Sequence, residues 1–128
     1  MKKKQGHAFS REDETVIHLF TDLGLPKNLA KTLIYISQEE NCRSQDIEHG
    51  ANLLQPQVSL AIQELRKKGW VKKYDKKKKG KGRPVHHYLL SKPLPDLVKT
   101  FEHEKNNEIE TIRKNFNDLE TLLRKEPV

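Results

Sequence analysis

Residues 55–90 read QPQVSLAIQELRKKGWVKKYDKKKKGKGRPVHHYLL, and three physical textures follow one another along them. Val58, Ala61, Ile62 and Leu65 recur at helical spacing, which predicts a helix with one apolar stripe. Pro56 falls in its first turn and Gly69 just beyond its end. Val71 to Tyr74 and Val85 to Leu90 are rich in β-branched, aromatic and aliphatic residues and read as two short strands. Between them Lys76, Lys77, Lys78, Lys79, Gly80, Lys81, Gly82 and Arg83 have nothing to bury, and Pro84 sets the chain for re-entry. A helix, then, leads into a hairpin with a cationic tip.

The hairpin holds the whole charge excess of the chain. From Lys72 to Arg83 eight basic residues face one acid, Asp75, and the chain as a whole carries a formal charge of +7. Outside that stretch 17 basic residues meet 17 acidic ones and cancel. With a pI near 9.5, such a chain favours a polyanionic partner, nucleic acid ahead of an anionic membrane surface.

At 128 residues, 34 % hydrophobic and 6 % aromatic, the chain has material for one modest core with an appendage. No apolar run approaches the ~18 residues that span a bilayer. MKKKQGHAFS at the start is basic but leads into no apolar signal segment. A soluble, cytoplasmic protein is expected, with residues 1–9 a flexible basic lead. Cys42 stands alone, so no internal disulfide or thiolate cluster can form, and a partly buried, idle thiol is expected.

Upstream, Ser10 and Asp13 have the spacing of a helix cap, and Val16, Leu19, Phe20 and Leu23 are expected to form an inward stripe that ends at Gly24. Pro26 is expected in the first turn of a second helix, whose inward residues are Leu29, Ala30, Leu33, Ile34 and Ile36. A short third helix opens at Ser44, with Ile47 and Ala51 inward, and Asn52 suits the left-handed turn after it. The expected order is helix, helix, short helix, turn, helix, hairpin. That is the order of a winged helix-turn-helix domain, mainly α with a small β-hairpin.

Three motifs carry a family resemblance. LLQPQVSLAIQELRKKGWV, residues 53–71, resembles the recognition helix and following strand of the MarR, ArsR and TrmB-like transcription regulators. LGLPKNLAKTLIYIS, residues 23–37, resembles the TrmB-like second helix, and KGRPVHHYLL, residues 81–90, resembles that group's wing exit. Together they span residues 20–92. Leu54 stands where a Ser or Thr would cap the recognition helix, and Asn52 replaces the usual turn glycine. The paired cysteines or carboxylate–histidine sets of the ArsR metal sites are not matched by Cys42, nor by Asp96 and His103, so no metal or cofactor is expected.

Facing Val58, Ala61, Ile62 and Leu65 inward leaves Pro56, Leu60, Gln63 and Lys67 outward, flanked by Gln55, Gln57, Ser59, Glu64 and Arg66. A Gln amide can bond an adenine edge bidentately, and an exposed Leu60 can meet a thymine methyl. Gln57, Ser59 and Gln63 are the first candidates for base contacts. Ser44 and Arg66 are the candidates for phosphates, with Gln55, Leu60 and Lys67 beside them. Lys76, Lys77, Lys78, Lys79, Lys81 and Arg83 would grip the duplex backbone, a contact that adds affinity without sequence choice.

After residue 92 the texture changes. Pro93 and Pro95 are expected to separate the hairpin from a coiled-coil-like helix over residues 93–128. Leu97 and Phe101 belong to one apolar group; Ile109, Ile112, Phe116, Leu119 and Leu123 form another, with a polar break between. A helix of ~45 Å outruns a domain only ~25–30 Å across, which predicts a second chain covering it. The expected function is therefore a homodimeric regulator of transcription that binds double-stranded DNA. The alternative is a winged-helix protein–protein adaptor or an RNA-binding module. His86 and His87 point to opposite faces of a strand and no nucleophile–base set is discernible, so no enzyme is expected.

Overall fold

Local chemistry sets most of the helix ends. The structure, a computed structural model, describes residues 9–76 and 85–125. The basic residues 1–8 and the tip residues Lys77, Lys78, Lys79, Lys81 and Arg83 lie outside the described residues. Five helices and one hairpin follow in the order α1 (Arg11–Asp22), α2 (Lys27–Gln38), α3 (Ser44–Ala51), α4 (Gln55–Lys67), β1 (Val71–Lys76), β2 (Val85–Leu90) and α5 (Leu94–Lys125). The chain divides into two compact units, residues 1–93 and 94–128.

Ser10 caps α1 reciprocally: its Oγ accepts from the Asp13 N–H and the Asp13 carboxylate accepts from the Ser10 N–H, both at 3.0 Å. At the other end Gly24 takes φ +101°, its N–H donating to Thr21 O while the Leu25 N–H reaches Phe20 O. The same pair of bonds closes α4, where Gly69 at φ +81° donates to Arg66 O and Trp70 donates to Leu65 O. Asn52 plays the glycine's part after α3 at φ +56°. In every case the next residue, Leu25, Trp70 or Leu53, is buried, so each left-handed residue turns the chain back into the core.

The α1 stripe is rotated from the expected one. Ile17 and Phe20 are buried, Val16 is half-buried, and Leu19 and Leu23 are exposed. The phase follows α2, the helix against which α1 packs. Pro26 also differs, acting as the N-cap of α2 rather than lying within its first turn. Pro95 differs in the opposite sense: it lies inside the first turn of α5, where a missing N–H costs nothing, and does not separate the helix from the hairpin.

The first unit is built on α2, which buries Leu29, Ala30, Leu33, Ile34 and Ile36 as expected, together with Thr32 and Tyr35. It packs against α1, α3, α4 and β2. Gly50 lets α3 come close: a Cβ at that position would overlap the Tyr35 ring. β1 and β2 pair antiparallel from Val71↔Leu90 to Lys76↔Val85, so β1 runs two residues beyond the expected Tyr74. Cys42 adds a single bridge to the sheet, its carbonyl accepting from the Tyr88 N–H at 2.8 Å. Ser91 fastens the exit of the hairpin to the end of α4, its N–H donating to Trp70 O and its hydroxyl to Gly69 O.

In the second unit α5 is a single 32-residue helix, continuous through the polar stretch where Lys105 pairs with Glu108 at 3.2 Å. Among the described residues no helix is long and apolar enough to cross a membrane.

Candidate nucleic-acid interface

Helix α4 is two-sided. Val58, Ala61, Ile62 and Leu65 are buried as the spacing predicts, which fixes the opposite face outward. Gln55, Ser59, Leu60, Gln63, Arg66 and Lys67 are exposed, and Gln57 is half-buried. Along one flank runs an open cleft of about 250 Å³, walled by Ser44 of α3, by Gln55, Ser59, Ile62, Gln63 and Arg66 of α4, and by Tyr88 of β2. Five of the residues singled out from sequence thus share one concavity, and α3 supplies the wall opposite α4.

Leu60 and Lys67 do not line the cleft. Lys67 lies 4.0 Å from Glu64, a surface pair weak enough to exchange for a phosphate. Arg66 has no ion-pair partner among the described residues, so its guanidinium is available in the cleft. Lys76 is the last described residue of β1, paired with Val85.

Two residues of this surface were not among the contact candidates read from sequence. Tyr88 reaches the cleft because β2 is covered on both faces: His87 and Tyr88 are adjacent and both buried, which a strand alternating between core and solvent would not show. Leu54, the N-cap of α4, is largely exposed beside the polar face of the helix. Its departure from the capping pattern was the available signal. With no side-chain cap of its own, Leu54 donates its backbone N–H to Gln57 Oε1 at 2.8 Å.

Polar contacts stiffen the frame around this surface. The Asp46 carboxylate accepts from the Arg43 N–H at 2.9 Å and from both ends of its guanidinium at 3.3 Å, closing the N-terminus of α3. Burial alone would raise the Asp46 carboxyl, but these hydrogen bonds and the Arg43 charge outweigh it and hold the group below its usual range. Burial pushes the Cys42 thiol up to about 12, helped by the Asp46 and Glu39 carboxylates, so the thiol stays protonated and idle. Burial likewise lifts Tyr35 to about 12. In the hairpin Asp75 and His86, opposite each other in register, meet at 2.6 Å, while His87 stacks on Tyr74 at 5.3 Å between ring centres. The Tyr74 hydroxyl donates to Asn41 Oδ1 at 2.9 Å, tying β1 to the loop before α3.

No family profile matches the sequence, and no curated protein is significantly similar to it. Solved structures are. A possible transcriptional regulator from Methanosarcina mazei Go1 is 14 % identical with a TM-score of 0.56, covering 80 % of this chain and 86 % of its own. A MarR family transcription regulator is 12 % identical with a TM-score of 0.52, over 88 % of this chain and 73 % of its own. A mutant of Staphylococcus aureus MepR, bound to an oligodeoxyribonucleotide, is 18 % identical with a TM-score of 0.51, over 88 % and 84 %.

The fold is a winged helix-turn-helix. In these terms α3, Asn52 and α4 are the helix-turn-helix and β1–β2 is the wing. The cleft lies between the two helices of the unit and the inner strand of the wing.

Proposed function

We propose that the protein is a sequence-specific double-stranded DNA-binding regulator of transcription that acts in the cytoplasm as a homodimer, without catalysis. The observation that carries this reading is the cleft beside α4, where Ser44, Gln55, Ser59, Gln63 and Arg66 converge with no apolar core left to serve. α4 enters the major groove. Its glutamines and Ser59 face base edges, Leu60 a thymine methyl, and Ser44, Arg66 and Lys67 the flanking phosphates. Lys76, Lys77, Lys78, Lys79, Lys81 and Arg83 of the wing lie along the backbone, which accounts for a charge excess confined to the hairpin.

The second chain is needed for two reasons. Ile109, Ile112, Phe116, Leu119 and Leu123 alternate three and four apart and are 47–67 % exposed, an apolar seam with no cover in the single chain. Leu97 and Phe101 are already buried, at 2 % and 4 % exposed, so the seam offered to a partner starts at Ile109 and takes in Leu122. A two-fold dimer also matches an operator whose half-sites lie ~34 Å apart. The RNA-binding alternative lacks a stacking platform: Trp70 is buried, Tyr74 is half-buried, and the exposed Phe116 lies on α5.

Affinity for a duplex pool, measured with full-length protein at several salt concentrations, tests the reading. The logarithm of the binding constant should fall steeply with the logarithm of salt. Changing Lys77, Lys78 and Lys79 together to Ala should flatten that slope by about 0.9 for each phosphate no longer neutralised, equally on all sequences. An unchanged slope removes the wing from the mechanism. Affinity at low salt no greater than that of a neutral control protein removes the function.

A further inference from the structure

Of the three glutamines on the recognition helix, Gln57 alone is committed by the fold. Its Oε1 accepts the Leu54 N–H at 2.8 Å, the N3 half of a capping box whose other half, a Ser or Thr hydroxyl at position 54, is missing. Only the carbonyl end of an amide can meet a backbone N–H; turning the Gln57 amide round would set donor against donor. The end left over is Nε2, which carries two N–H donors and no acceptor. Gln55 and Gln63 have no such bond among the described residues, and their amides keep both ends free.

This difference has a consequence for base choice. Adenine shows the major groove an acceptor, N7, beside a donor, N6, and a bidentate pair with it requires both ends of the amide. Guanine shows two acceptors, O6 and N7, and cytosine a donor. An amide whose carbonyl is turned back onto the helix end matches the guanine edge, mismatches the adenine N6 and repels the cytosine N4 group.

We propose that Gln57 is a donor-only reader that selects guanine at one position of each half-site, and that adenine recognition on this helix belongs to Gln55 and Gln63. The inference rests on α4 being the helix that reads DNA. It also gives Gln57 two separable duties, closing the helix and reading the base, with one atom for each.

Selection of tight binders from a random duplex pool, run with the full-length wild type, Gln57→Glu and Gln57→Ala alongside thermal melting, separates those duties. Glu keeps an acceptor for the Leu54 N–H and adds a favourable charge at a helix N-terminus, but it has no donor. Ala has neither. Wild type should enrich guanine at one position per half-site. Gln57→Glu should replace it with cytosine, melt at or above the wild-type temperature, and lose about ten-fold in affinity for the wild-type site. Gln57→Ala should lose the preference and melt lower. Enrichment of adenine at a position that both variants lose, or a selected motif unchanged in both, overturns the inference, as does an Ala variant that melts like the wild type. A wild-type pool with no enriched motif removes the proposed function itself and the inference with it.

Discussion

At the residue scale, single atoms decide how closely the elements approach. Gly50 has no Cβ because the Tyr35 ring occupies that space, so Gly50→Ala forces a buried aromatic to move. Overpacking of that kind costs about 1–3 kcal/mol, against about 1 kcal/mol that Ala contributes as the better helix former. Gly50→Ala should therefore destabilise by up to about 2 kcal/mol in urea denaturation. In a Tyr35→Ala background the same change should turn stabilising by up to about 1 kcal/mol, because only the propensity difference remains. Cys42 makes the opposite point. Buried, and with its thiol pushed up to about 12, it presents no thiolate at neutral pH. Maleimide labelling of the native protein should proceed no faster than unfolding; rapid stoichiometric labelling would show that the thiol is open.

At the element scale, helix ends carry the stability that composition cannot. Asp46 closes α3 through three hydrogen bonds from Arg43, and they hold its carboxyl below the ordinary value of 3.8. A carboxyl depressed in the folded state stabilises it fully above the unfolded value, and that contribution is lost as pH falls through the folded one. The stability difference between wild type and Asp46→Asn should thus be constant from neutral pH down to about 5 and shrink towards zero below 3.8. A difference that stays the same from pH 5 to pH 2 would mean that the charge on Asp46 is irrelevant. The α4 N-terminus is met in the same way, by Gln57 accepting the Leu54 N–H, so the helix proposed to read DNA is also closed by one of its proposed contact residues.

At the scale of the whole molecule, the two units hold different duties in the proposed regulator: residues 1–93 contain the cleft and the hairpin, and residues 94–128 the exposed apolar seam. Phe116 lies mid-seam and is exposed in the single chain, so Phe116→Asp should leave the fold of one chain intact while placing a charge in the interface between two. Light scattering should show a dimer for the wild type and a monomer for the variant, with at least a ten-fold loss in operator affinity as two half-sites become one. A variant that stays dimeric would move the interface elsewhere, and a monomeric wild type would leave the seam without a partner.

Periodicity and turn chemistry were enough to order the elements. The α2 and α4 stripes, the left-handed Asn52, the glycines that end α1 and α4, and the strand β2 were all legible because each depends on neighbours a few residues away. So was the polar face of α4, since it is whatever the buried stripe leaves outside. Two things depended on distant residues and were not legible. The rotation of α1 that buries Ile17 and exposes Leu19 and Leu23 answers to the partner it packs on. Tyr88 joins Ser44 and Arg66 in one cleft only because β2 returns beside α3. The Gln57 carbonyl is a local matter: it takes the N–H of Leu54 three residues back, the N3 half of a capping box. By itself the sequence determined which faces are apolar and where the chain turns, because those are local free energies. Tertiary packing decided which polar side chains converge on one concavity, because Ser44, Arg66 and Tyr88 come from three elements that meet only when the chain is folded.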